Sequence, residues 1–207
     1  MDRLLSTNLW AQEFIQHQLG VWTQVEGDST FLVYRSGVKN PDLIKPQDKI
    51  FTEGSYLSND EGFMTGKLFE QCWVRLGPKA KIAFEFDPQT KFLYLKVFTG
   101  SVKVLFDKQW ANGKAEKLIL QAADHQIEVE AGKFIFDRKP FFHENSIYVE
   151  KGLVGITDEA QGQISFIHQN EKISFNDKTN IRSEITKMSE KELKEFASNS
   201  YIKNAKR

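Results

Sequence analysis

Cysteine is almost absent. Cys72 is the one copy in 207 residues, so no disulfide forms within the chain and thiolates cannot assemble a zinc cluster. It sits in the alternating run "FEQCWVRL", which suits a small buried hydrophobe better than a reactive thiol. Long apolar runs are absent too: no stretch reaches the roughly 18–20 residues that a bilayer-spanning helix needs. Neither charge is in excess, with 28 Lys plus Arg against 28 Asp plus Glu. Such a chain has no global field to draw in nucleic acid or anionic membrane, and neither is an expected partner. The basic tail "YIKNAKR" reads as a solvated terminus. The start "MDRLLSTNLWAQEF" lacks the charged, apolar and small-residue regions of a secretory signal. Two alternatives follow: a cytoplasmic protein, or a chain that begins after an anchor.

Catalytic signatures are also missing. There is no G-x-S-x-G elbow, Walker A loop or dinucleotide fingerprint. His143 and Glu144 adjoin, but no second histidine follows at helical spacing, so the metalloprotease pattern fails. His125 and His143 could approach across a sheet, yet no carboxylate stands at motif spacing. "FTEGSYLSNDEGFMTG" precedes a strand rather than a helix N-terminus, so it cannot cradle phosphate in the usual way. Glu128 and Glu130 would share one strand face, as solvated acids of an alternating strand do. The expectation is a non-enzymatic protein with no cofactor and no metal site.

What the chain has is phenylalanine, 17 copies, many of them inside short alternating runs such as "KIAFEFD", "FLYLKVF" and "KFIFD". Flat aromatic side chains suit half-buried strand faces. From Val21 to about Phe175 such runs follow one another, broken by "VKNP", "SNDEG", "DPQT" and "NDK". Many short strands without intervening helices predict an all-β fold, a short-stranded twisted sandwich or a solenoid-like domain. Flanking helices are expected on both sides. Leu5, Leu9, Phe14, Ile15 and Leu19 form a rough stripe that ends at Gly20. "MSEKELKEF" carries a capping box, Ser189 with Glu192, and a Met188–Leu193 staple. The organisation expected is an N-terminal helix over 1–20, a β domain over 21–178, and a C-terminal helix and basic tail over 179–207.

One phrase recurs three times: "VFTGSVKV" (97–104), "VEAGKFIF" (129–136) and "VEKGLVGI" (149–156). In each, Val is followed three places later by Gly, then by apolar residues at the fifth and seventh places. Those places lie at odd offsets from the Val, so an unbroken strand would turn them to the opposite face. One extra residue repairs the phase. A bulge or bend with glycine at positive φ supplies it, and Gly100, Gly132 and Gly152 are read as corners. The glycine intervals, 32 and 20 residues by position, exclude a strict repeat array.

The surface candidates for binding are aromatic. Phe141 and Phe142 follow Pro140 in an expected loop beside His143, and successive residues cannot both point inward in a strand. Two readings are open: the rings cover the end of the barrel or sandwich, or they form an exposed apolar anchor for a partner. Trp110, beside the "ANG" turn, is the better candidate for stacking on a sugar ring. Trp22 is a further stacking candidate, and Trp73 is expected in the core.

The order of motifs resembles the FecR domain. The segments concerned are "FLVYRSG", "IKPQDKIFTEGS", "GKLFEQCWVRLGPKAKIAFEF", "FLYLKVFTGSVKVLF", "HQIEVEAGKFIFD", "SIYVEKGLVGI" and "HQNEKISF", over about residues 25–176. Gln47-Asp48 stands where the family has Gly-Asp, and Lys133 where it has Thr. The resemblance implies an extracytoplasmic or periplasmic β domain of the bacterial cell envelope, without catalytic residues, acting in signal transduction. Its partner would be an envelope or outer-membrane protein, bound through a sheet edge or the aromatic loop. Membrane contact would come only through an anchor outside this chain. The alternative is a β domain that binds carbohydrate or peptidoglycan.

Overall fold

A computed structural model of the chain describes residues 17–27, 30–52, 54–58, 62–69, 72–107, 114–122, 125–158, 163–179 and 182–198. They are nearly all β, with one short helix, α1 (Glu190–Ser198). The first strands are β1 (Gln18–Glu26), β2 (Phe31–Arg35), β3 (Asp42–Leu43), β4 (Lys49–Phe51) and β5 (Gly54–Ser58). Next come β6 (Phe63–Leu68), β7 (Cys72–Leu76), β8 (Lys81–Asp87), β9 (Phe92–Asp107) and β10 (Lys117–Ala122). The last are β11 (His125–Lys139), β12 (Glu144–Asp158), β13 (Gln163–Ile167), β14 (Glu171–Asn176) and β15 (Thr186–Lys187). All belong to one hydrogen-bonded network.

Three long strands organise that network, and they are the three that carry the repeated phrase. The first half of β9 pairs with β8 and β10, and its second half with β7 and β11. The start of β11 pairs with β10 and the remainder with β9. β12 runs beside β11 along its length, but borders β14 at its start and β13 at its end. Each long strand therefore serves two wings. Wing one runs β3-β2-β5-β8-β9-β10-β11-β12-β13. Wing two runs β4-β1-β6-β7-β9-β11-β12-β14-β15. The ladder closes on itself, barrel-fashion, because β9, β10 and β11 are mutually paired.

The passage between wings occurs at the phrase. Its first Val and the residues five and seven places after it are buried in every copy: Val97 with Val102 and Val104, Val129 with Phe134 and Phe136, Val149 with Val154 and Ile156. The extra residue that permits this is not the glycine. The register skips Phe98 against β8, Glu130 against β12 and Glu150 against β11, in each case the residue just after the Val. A bulge there bends the strand and restores the inward phase. The glycine two places on accommodates close backbone approach. Gly100 and Gly152 adopt φ of 83° and 88°. Gly132 does not, and the expectation of positive φ fails there. Gly132 instead lies opposite Gly152, so two copies of the phrase meet corner to corner.

The core is one cluster fed by both wings, from Trp22 and Tyr56 through Phe84 and Phe106 to Phe136 and Phe175. Trp22 meets Tyr56 edge-on at 5.2 Å. The expected N-terminal helix is not found where it can be checked: Gln18–Gly20 open β1, and residues 2–16 lie outside the described residues. At the other end α1 is capped reciprocally. The Ser189 N–H donates to Glu192 Oε2 at 2.8 Å, and the Glu192 N–H to Ser189 Oγ at 3.3 Å. The sheet itself runs past residue 178, because β15 pairs with β14.

Candidate functional site

The hairpin that joins β11 to β12 ends in a single 3-10 turn, Pro140–Phe142. Proline opens it with a preset φ and no N–H to lose. His143 closes it in the left-handed region at φ 55°, its N–H bonded to Pro140 O at 3.1 Å. The turn buries nothing: Phe141 is 88% exposed and Phe142 62%. Their rings contact each other edge-on at 5.3 Å.

The base of this tip is fixed. Asp177, in the turn after β14, donates its N–H to His143 O at 2.9 Å. Its carboxylate receives the Asn145 amide and lies 3.2 Å from Arg138 Nη2. Arg138 and Asn145 face each other on β11 and β12 just below the turn. His125, buried on the first half of β11, stands 3.9 Å from the same carboxylate and edge-on to Phe175. A rigid base beneath an apolar tip is a preorganised anchor, with little ordering entropy left to lose on contact.

Other sequence candidates are dispersed. Trp110 lies outside the described residues. Trp22 is fully buried, so it cannot stack on a ligand. Trp73 was expected in the core and is not fully buried there. It is half-buried on the opposite face, with Lys67 Nζ 5.7 Å from its ring. His143 is exposed while His125 is buried, so the two do not form a pair. Among the described residues no three His, Cys, Asp or Glu side chains could hold a metal ion. Burial pushes the Cys72 thiol up to about 11, which leaves it protonated and inert at neutral pH. Glu128 pairs with Lys117 at 2.7 Å. Of the free sheet edges, β13 shows exposed Ile164 and Phe166 and pairs with β12 alone among the described strands.

A further site escaped the sequence. Arg75, Lys103 and Ile135 stand side by side across β7, β9 and β11, on the face turned away from the core. They line a cleft of about 300 Å3 with Phe63, Pro78 and Ser101. Both cations are buried, Arg75 2% exposed and Lys103 4%. Arg75 Nη2 bonds Glu26 at 3.0 Å, and its guanidinium lies 4.2 Å from the centre of the Phe63 ring. Lys103 lies 3.2 Å from Glu150, the bulged residue of the phrase, which also accepts from Lys133 at 2.6 Å. In "WVRL" and "VKVL" each cation occupies an outward phase, which reads as solvated surface. No local signal marks it as buried.

Burial pushes the Lys103 ammonium down to about 8, opposed by Glu150 and assisted by Lys133 and Arg75. The unfolded chain keeps this proton to about pH 10.4. Between about pH 8 and 10.4 the unfolded state therefore binds more protons, and stability rises with pH. Below that window the folded protein carries the cost of a buried cation. Lys103→Met should remove this rise. The check is denaturant unfolding of both proteins from pH 7 to 10; equal pH slopes would refute it.

With this geometry in hand, comparisons speak to the fold. No family model matches the chain, and no curated protein does. Two crystal structures of a protein from Parabacteroides distasonis, described as a "putative anti-sigma factor", are similar. One superposes with a TM-score of 0.57 at 11% identity over 69% of this chain, the other with 0.55 at 11% over 67%. The likeness is one of fold. The match spans 62–63% of the length of those structures.

Proposed function

We propose that this chain is a non-catalytic regulatory or signalling module that binds a protein partner through the Phe141–Phe142 tip. The observation that carries the reading is that two neighbouring phenylalanines stand exposed on a turn whose base is pinned by Asp177. Exposed aromatics held rigidly are what a protein interface uses as an anchor. The free edge of β13 offers a second contact, where a partner strand could add by backbone pairing. Similarity in fold to a protein described as an anti-sigma factor supports a regulatory role. The FecR resemblance supports an extracytoplasmic setting and an envelope partner.

A photo-crosslinking residue at position 141, in a cell of a FecR-containing bacterium, tests the partner. A discrete adduct with an envelope protein is the expected product. An adduct with a sigma factor would move the module to the cytoplasmic side, and peptidoglycan retention would favour the glycan alternative. Phe141→Ser with Phe142→Ser should abolish the adduct formed from position 166 while changing stability by less than about 0.5 kcal/mol, as exposed substitutions do. Retained partner binding in that double variant would sink the assignment of the tip.

A further inference from the structure

We propose that β13 pairs edge to edge with β13 of a second copy of this chain, antiparallel about a twofold axis at Ser165. This contact does not depend on the hairpin tip, because β13 lies against Val154–Asp158, the end of β12 remote from that turn.

The hydrogen-bonded network stops at four strands: β3, β4, β13 and β15. An edge strand offers a row of unpaired N–H and C=O groups to any other chain. Proteins blunt such edges by keeping them short or by placing charge or proline on them. Three of these edges are blunted. β3 has two residues, one of them Asp42, and follows Pro41. β4 has three and begins with Lys49. β15 has two and ends with Lys187. β13 is built differently. Its five residues, Gln163–Ile167, include neither a charge nor a proline. Among the described strands β12 alone pairs with it.

The outward side chains of β13 are apolar as well. Ile164 is 54% exposed and Phe166 52%. Both lean toward Gly155 on β12, where a Cβ would stand 3.5 Å from each. Leaning that way, they leave the main chain of β13 uncovered at its outer edge. Leu153, also exposed, stands diagonal to Phe166 and widens the patch.

The strand's own order of residues selects a second copy as the occupant. Centred on Ser165, an antiparallel register overlaps all five residues, and directly opposite side chains share a face. Ile164 then meets Phe166 of the second copy, and Phe166 meets its Ile164. A β-branched residue opposite an aromatic one is a favourable cross-strand pair, and the twofold makes it twice. Because the strand is uncharged, self-pairing sets no like charges opposite each other. Ile167, fully buried, stays in its own core. The contact is small. Two five-residue strands bury less than the roughly 1,200 Å2 at the low end of specific interfaces, so the dimer is expected at about micromolar protein or above. A partner strand adding at the same edge displaces the second copy, and the partner adduct from position 166 reports that exchange.

The test is sedimentation velocity of the full chain from about 5 to about 500 µM. Wild type is expected to pass from monomer to dimer across that range. Ile164→Lys with Phe166→Lys places lysines opposite each other twice and should raise the midpoint about tenfold or more. Ser165→Cys gives a reading that does not depend on that variant folding. Its two thiols meet at the axis, within disulfide reach, so mild oxidation should yield a covalent dimer, while Ser174→Cys, on β14, should not. Four results would overturn the proposal: a wild-type monomer at every concentration, a dimer that the lysine pair leaves unchanged, no preference for Ser165→Cys over Ser174→Cys, or a dimer lost in Phe141→Ser with Phe142→Ser, which would place the contact at the tip.

Discussion

Gly152→Val is expected to lower stability by about 3 kcal/mol or more, which is a large share of the roughly 5–15 kcal/mol that holds a domain folded. Two costs combine. A branched side chain at φ 88° is strained by about 1–3 kcal/mol wherever it stands. A Cβ at this position would also lie 2.4 Å from Ala131 O and 2.9 Å from Gly132 Cα. Both contacts are backbone on the paired strand, so neither can rotate away. The corner where β11 and β12 pass together between wings would have to open. The comparison that makes this informative is Gly132→Ala, in the second copy of the same phrase. Its nearest contact would be Lys151 O at 3.2 Å, and its φ is not positive. The expected loss there is smaller, about 1 kcal/mol, the scale of an ordinary surface or packing change. Chemical denaturation of the three proteins decides it. If Gly152→Val unfolds at the wild-type midpoint, the corner does not need its glycine.

Arg75→Ala is expected to cost about 3–5 kcal/mol, the range seen when one member of a buried ion pair is removed. Glu26 would lose its partner at 3.0 Å, the Phe63 ring would lose the cation it covers, and a hole would open behind the cleft. Arg75→Met separates these causes. It keeps the stem that packs along Phe63 and removes the charge, so it should recover part of the loss. Adding Glu26→Gln to either variant should recover more, because the orphaned carboxylate is then neutral. A double-mutant cycle on Arg75 and Glu26 reads the coupling directly. Additive losses would mean that the pair contributes nothing and that Arg75 matters only by filling space.

The aromatic tip was legible in the sequence as a loop, while the exposure of its rings came from the structure. Phe141 and Phe142 are adjacent and follow a proline, and no regular strand turns two successive side chains inward. The fold class was legible through period-two alternation. The cationic cleft was not, because alternation assigns a residue to a face without saying whether that face is covered. Arg75 and Lys103 alternate with core valines as solvated residues do, yet both are buried. Trp73 was misplaced by the same limit: it shares a strand with core residues but takes the other phase.

The repeated phrase marks the boundary between the two kinds of information. Its odd spacing alone determined that the chain must gain one residue between Val and the next apolar pair, since side chains alternate with a period of two. Which residue is extra was decided by pairing. The partner strand skips Phe98, Glu130 and Glu150, not the glycines. That choice depends on cross-strand hydrogen bonds between segments far apart in the chain. So does its consequence, that the skipped Glu150 reaches two lysines from β9 and β11. Local spacing carries the phase of a strand; only the assembled sheet determines which strands meet, and therefore which charges share a cleft.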